Sequence, residues 1–157
     1  MQGSEPTTGS GAPSGLEALL VAQLSEAAIF ADRDGVIRLW NDSAVAIFGF
    51  SREEALGRSL DLIIPERLRP AHWQGYHRAI ARGATQHGRR SAITRALTGT
   101  GETIYVDMSF AVICDSHGGA LGSLAIAREA TERYRQDKAL RERLATLEQA
   151  AADRAGS

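Results

Sequence analysis

The stretch VIRLWNDSAVAIFGFSREEALG, Val36–Gly57, decides the fold of this 157-residue chain. Val36–Trp40 is a short β-type run. The Asp32-Arg33-Asp34-Gly35 segment before it ends in an Asp-Gly pair, which favours a hairpin with a second such run at Ala28–Ala31. Beyond Asn41 the pattern turns helical over Asp42–Phe48 and again after Ser51. Ser51 and Glu54 have the spacing of a capping box, in which the hydroxyl accepts an orphan helix N–H and the carboxylate accepts the N-cap amide.

Upstream, Leu16–Ser25 reads as a short helix. Downstream, Asp61–Ile64 is an apolar turn stopped by Pro65, and a longer helix follows over about Arg67–Arg82, ended by Gly83. Three strands are expected at about Arg89–Leu97, Glu102–Ile113 and Ala120–Ala127, joined by Gly-rich turns. In the second of them Ile104, Val106, Met108, Phe110 and Val112 alternate with Tyr105, Asp107, Ser109 and Ala111, the period of a half-buried internal strand. Strands with helices segregated between them give an α+β fold, with the helices on one face of an antiparallel sheet.

The two ends differ in kind. Residues 1–15 include eleven Gly, Ser, Thr or Pro, too little apolar surface to offset the entropy of ordering, so a disordered arm is expected. Arg128–Arg154 holds thirteen charged residues in twenty-seven and no Gly or Pro, as a long helix would. Leu140, Leu144 and Leu147 make a 4-then-3 stripe, with Ala130 and Ala151 on the same seam, which suits a two-stranded coiled coil. Arg133 and Asp137 also fall on that seam, so a solvated single helix is the alternative.

Eighteen basic against nineteen acidic residues leave a net charge of −1, without the basic footprint that nucleic-acid binding needs. Cys114 is the single cysteine, which excludes an internal disulfide and suits a reducing cytoplasm. No apolar run approaches the roughly 20 residues of a membrane span, and the first residues lack a signal-peptide pattern. The histidines His72, His77, His87 and His117 make no zinc-type motif, and Gly99-Thr100-Gly101 lacks the lysine of a phosphate loop. The helix after Arg128 carries no histidine to accept phosphate, so no enzyme activity is expected.

Trp40-Asn41, Ala44, Phe48-Gly49-Phe50 and Glu53-Glu54-Ala55-Leu56-Gly57 together resemble the pattern of the PAS sensor domain, departing from it only by Phe50 where that family has tyrosine. The resemblance covers about Leu16–Thr131 and implies a five-stranded antiparallel sheet cupping a pocket, followed by a C-terminal signalling helix over 132–157. It also implies that Glu129-Ala130-Thr131 stands where the family has its D-x-T coupling motif, and that the coil passes a signal to a downstream effector; the leucine stripe, with the PAS core, is expected to pair the chain as a homodimer.

Pro65, Arg69 and His72 form a P-x-x-x-R-x-x-H arrangement, and Leu68-Arg69-Pro70-Ala71-His72 is similar to the heme-binding PAS domains of bacterial oxygen-sensor kinases and phosphodiesterases. That resemblance implies a b-type heme with His72 as its axial iron ligand, sensing a diatomic gas or redox state. Helical phase independently puts Leu68, His72, Tyr76 and Ile80 on one apolar face, and His77 about 140° round it. The other reading of His72 is a core histidine bonded to a backbone carbonyl. Where the oxygen-sensing families carry a distal arginine, or a methionine two residues before it, this chain has Ala92 and Arg90. Across the sheet, Ala92, Thr94, Val106, Met108 and Phe110 are expected to form the facing wall, with Met108 either a sixth ligand or a core methionine. Oxygen is therefore not singled out over carbon monoxide or nitric oxide. A flavin photoreceptor cysteine motif is absent, while a non-covalent flavin such as FAD near Trp40 and Asn41 stays open. A ligand-free PAS interaction module is the remaining alternative.

Overall fold

The computed structural model describes residues 15–85, 88 and 90–156. The expected disordered arm and His87 lie outside them, apart from Gly15, which opens helix α1 (Gly15–Ala22). Strands β1 (Ala27–Asp32) and β2 (Ile37–Trp40) form the hairpin expected around Asp34-Gly35. Helices α2 (Asp42–Phe48) and α3 (Arg52–Ala55) follow, and then 3-10 turns at Leu60–Leu62 and Glu66–Leu68. Helix α4 (Arg69–Arg82), strands β3 (Ala92–Leu97), β4 (Thr103–Cys114) and β5 (Ala120–Glu129), and helix α5 (Thr131–Ala155) complete the chain.

All five strands join one antiparallel sheet in the order β2-β1-β5-β4-β3. The short helices cover one side of it. Trp40, Phe48, Ile29, Ile37 and Val106 are the largest fully buried side chains, each contributing about 1.5–3 kcal/mol by leaving water. The Ser51–Glu54 capping box forms in both directions. Asn41 caps α2 through Oδ1, which accepts from Ala44 N at 3.0 Å and Ala28 N at 2.9 Å. Its Nδ2 donates to the Val21 and Glu26 carbonyls. Among the described residues no helix is long and apolar enough to cross a membrane.

Several details differ from the sequence reading, among them the end of the first helix, which stops at Ala22 and not at Ser25. The helix expected from Arg67 begins at Arg69, because the chain first makes the 3-10 turn Glu66–Leu68 and Pro70 then suits a first helical turn. The strand expected from Arg89 begins at Ala92, which leaves Arg90 outside the ladder. Phe110 keeps its place in the alternation of β4 yet is 42% exposed. The β3 ladder ends at the Ala92–Met108 pair, so on that flank Phe110 has no neighbouring strand.

Candidate functional site

The site lies where α4 passes over the sheet, and three side chains fix the phase of that helix. Arg69 folds back on its own approach, donating from Nε to the Ile64 carbonyl at 3.1 Å and from Nη2 to the Asp61 carbonyl at 3.2 Å. Trp73 Nε1 donates to Asp61 Oδ1 at 2.8 Å, and its ring lies over the β1–β2 turn. A Cβ on Gly35 would stand 2.2 Å from that ring, and Gly35 also has φ +77°, so the turn requires glycine twice over. Tyr76 is buried and its hydroxyl donates to the Ala31 and Asp32 carbonyls, which ties α4 to the end of β1.

These anchors hold His72 one turn before Tyr76, with its ring 4.9 Å from that of Trp73 and 5.8 Å from that of Tyr76. His72 Nδ1 is buried and has no hydrogen-bond partner among the described residues. Such an atom costs about 1–3 kcal/mol when left unsatisfied. The carbonyl bond required by the core-histidine reading is therefore missing at this nitrogen. Burial is the main cause that pushes the imidazole below its ordinary 6.5, opposed by Asp61 and assisted by His77. The neutral form, which has a lone pair for a metal, is favoured. His77 is exposed, as helical phase requires, and stacks on Trp73.

Across from α4, Ala96, Val106 and Met108 are buried. Strand register places Ala92 opposite Met108 and Thr94 opposite Val106, hence on the same side of the sheet. Both are nevertheless exposed. Helix α4 packs against β5, so the outer part of this side, from Thr94 to Phe110, is left uncovered by it. Leu68 is half-buried at the start of α4, and Arg90 is exposed beside the strand. The structure thus groups His72 with Tyr76 on α4, puts Val106 and Met108 in the core, and leaves Arg90, Ala92 and Phe110 at the margin.

A half-buried imidazole whose buried Nδ1 has no partner among the described residues, and whose neutral form burial favours, suits an axial ligand to a flat macrocycle. The residues named for a flavin do not fit one: Asn41 bonds only backbone groups, and Trp40 Nε1 donates to the Phe50 carbonyl at 3.1 Å. The sequence reading missed the Asp61–Trp73–Gly35 contact. Its one visible trace is the Asp-Gly turn, which says nothing about which ring will cover it.

The comparisons with known proteins agree on the architecture. The family model described as the PAS fold matches residues 21–135. An uncharacterised protein of Azorhizobium caulinodans is 34% identical over 123 residues, covering 76% of this chain and 16% of that protein. The oxygen sensor protein DosP of Escherichia coli is 36% identical over 45 residues, 29% of this chain and 6% of that protein. This chain therefore spans less than a fifth of the length of the curated relatives it matches. A PAS domain from Colwellia psychrerythraea superposes with a TM-score of 0.66 at 19% identity, over 75% of this chain and 97% of that one. With a family match over most of its length and the five-stranded sheet in place, the chain belongs to the PAS fold family.

Proposed function

We propose that this PAS domain is a cytoplasmic sensor that holds a b-type heme through His72, between α4 and the exposed side of β3 and β4. The observation that carries the reading is the buried Nδ1 of His72, which has no partner among the described residues. The short match to an oxygen sensor of Escherichia coli supports it. Bound heme would supply reversible coordination of a diatomic gas or a change of iron redox state. The chain's own residues do the rest. Burial keeps His72 neutral, Trp73 and Tyr76 hold its helix in phase, and Val106 and Met108 provide an apolar wall. Arg90 is exposed and lies outside β3, so it is not assigned to the gas, and the reading does not single out oxygen from carbon monoxide or nitric oxide. The sensor performs no catalytic step itself and acts on a downstream effector.

The second reading is a ligand-free interaction module. The exposed Phe110, on the uncovered side of β4, favours it. Reconstitution with hemin separates the two. The wild-type chain is expected to develop a Soret band, and His72→Ala, with unchanged far-UV circular dichroism, to lose it or bind heme at least tenfold more weakly. A wild type that takes up no heme would leave the interaction module as the function. An unchanged spectrum in His72→Ala would remove His72 as the ligand.

A further inference from the structure

We infer that a cleft on the opposite side of the sheet, between the Glu66–Leu68 turn and the β3–β4 pair, binds a small solute carrying a carboxylate or phosphate group. Arg67 and Arg95 hold the anion, and Tyr105 relays its presence to α5. The cleft has a volume of about 580 Å³ and is lined by Pro65, Glu66, Arg67, Arg95, Thr103 and Tyr105. That size lies inside the range of roughly 300–1,000 Å³ usual for small-molecule sites. Arg95 and Tyr105 are paired across the strands and alternate away from Ala96 and Val106, so this cleft does not share the side occupied by His72.

Its chemistry is that of an anion site. Arg67 and Arg95 are exposed, and neither has a carboxylate partner among the described residues. Arg95 Cζ lies 5.8 Å from the centre of the Tyr105 ring, and the guanidinium also hydrogen-bonds the phenol, which steadies it over the cleft with further N–H donors to spare. Two forked cations on one cleft suit the paired oxygens of a carboxylate or phosphate. Hydroxyls of Thr103 and Tyr105 on the same wall add uncharged donors. The Tyr105 phenol is held below its ordinary 10.0, first by bonding to Tyr134 and, against desolvation, by the hydrogen bond and charge of Arg95 with a smaller contribution from Lys138. Glu66 is the one opposing carboxylate on the lining, and it weakens the site.

The same tyrosine fastens the C-terminal helix. Tyr105 N donates to Thr131 Oγ1 at 3.0 Å, and its carbonyl accepts from Ala130 N at 2.8 Å. Its ring stacks on Tyr134 at 3.7 Å with 14° between the planes. An anion that draws Arg95 off the Tyr105 ring changes one member of that stack, and so alters the hold on the first turn of α5.

The full chain, labelled with ¹⁵N, is titrated with sodium phosphate and with sodium citrate, each against sodium chloride at matched ionic strength. Saturable shifts are expected at Arg95, Thr103 and Tyr105, and also at Thr131 and Tyr134. The probe that binds more tightly identifies phosphate or carboxylate as the preferred group. R67Q/R95Q should bind at least tenfold more weakly, Arg95→Lys should keep the charge but lose affinity, and Glu66→Gln should bind more tightly. Because the cleft does not involve His72, His72→Ala should respond as the wild type does, whatever becomes of the heme reading. Shifts no larger than those with chloride, or unchanged affinity in a folded R67Q/R95Q, would overturn the site. Shifts confined to the cleft and absent from Thr131 and Tyr134 would overturn the relay.

Discussion

His72 makes its pH behaviour a direct test of its surroundings. In the folded chain burial holds the imidazole below its ordinary 6.5, while in the unfolded chain it titrates near that value. Below about pH 6.5 the unfolded state therefore binds more protons, and stability falls as pH falls. Arginine-paired Glu26, Asp32 and Asp107 act in the same direction, but their stabilisation is lost only as pH drops below ordinary values of 4.5, 3.8 and 3.8. Denaturant unfolding of the heme-free chain at pH 7 and pH 5.5 should show a loss in the wild type that is smaller in His72→Leu. Equal losses in both would mean that the imidazole is not desolvated. His72 itself was legible in the sequence, since its place on an apolar helix face follows from spacing alone. Its partners were not. Trp73 meets Asp61 and Gly35, twelve and thirty-eight positions earlier, and no local pattern encodes a contact between chain segments that only the finished fold brings together.

Short-range rules account for the helices better than for the outer strand. The bounds of α2 follow from Asn41 as its cap and Gly49 as its stop, and α3 from its own capping box. These signals sit within four residues of what they determine. The start of β3 and the exposure of Phe110 depend instead on how far the β3–β4 ladder extends, which alternation along one strand cannot reveal. Helix α5 poses the opposite problem: its stripe was plain, but a single chain offers it no cover. Leu140, Leu144 and Leu147 are 65%, 56% and 56% exposed. If a second copy covers them, burial contributes at most about 1.5–3 kcal/mol per leucine. Leu144→Glu should then raise the dimer dissociation constant at least tenfold in analytical ultracentrifugation, with little change in the circular dichroism of the core. A dimer as tight as the wild type would place the interface elsewhere, on the PAS core.

The period of two along β4 links the candidate heme site to the C-terminal helix. Val106 and Met108 look into the core, while Tyr105 and Asp107, one peptide away on either side of Val106, face the other way and hold α5. Asp107 pairs with Arg133 at 2.8 Å, and Thr131 Oγ1 accepts the Tyr105 amide. Strand β5 arrives at the same joint, where the Glu129 carboxylate accepts from Thr131 N at 2.9 Å. Glutamate at this position thus reaches the first amide of α5. The Asp107–Arg133 pair is screened by solvent and the Thr131 bond is half-buried, so the Thr131 bond is the attachment that solvent weakens less. Thr131→Val keeps the shape of the side chain and removes the acceptor. Loss of this bond, about 1 kcal/mol, should speed hydrogen exchange several-fold at Tyr105 and in the first turn of α5. The core strands β1 and β5 should keep their protection, since their ladder does not pass through Thr131. If heme binds, the same variant should retain the wild-type Soret band while the exchange of α5 no longer responds to the state of the iron. Exchange in α5 that is unchanged by Thr131→Val would show that the Tyr105–Tyr134 stack holds the helix without it.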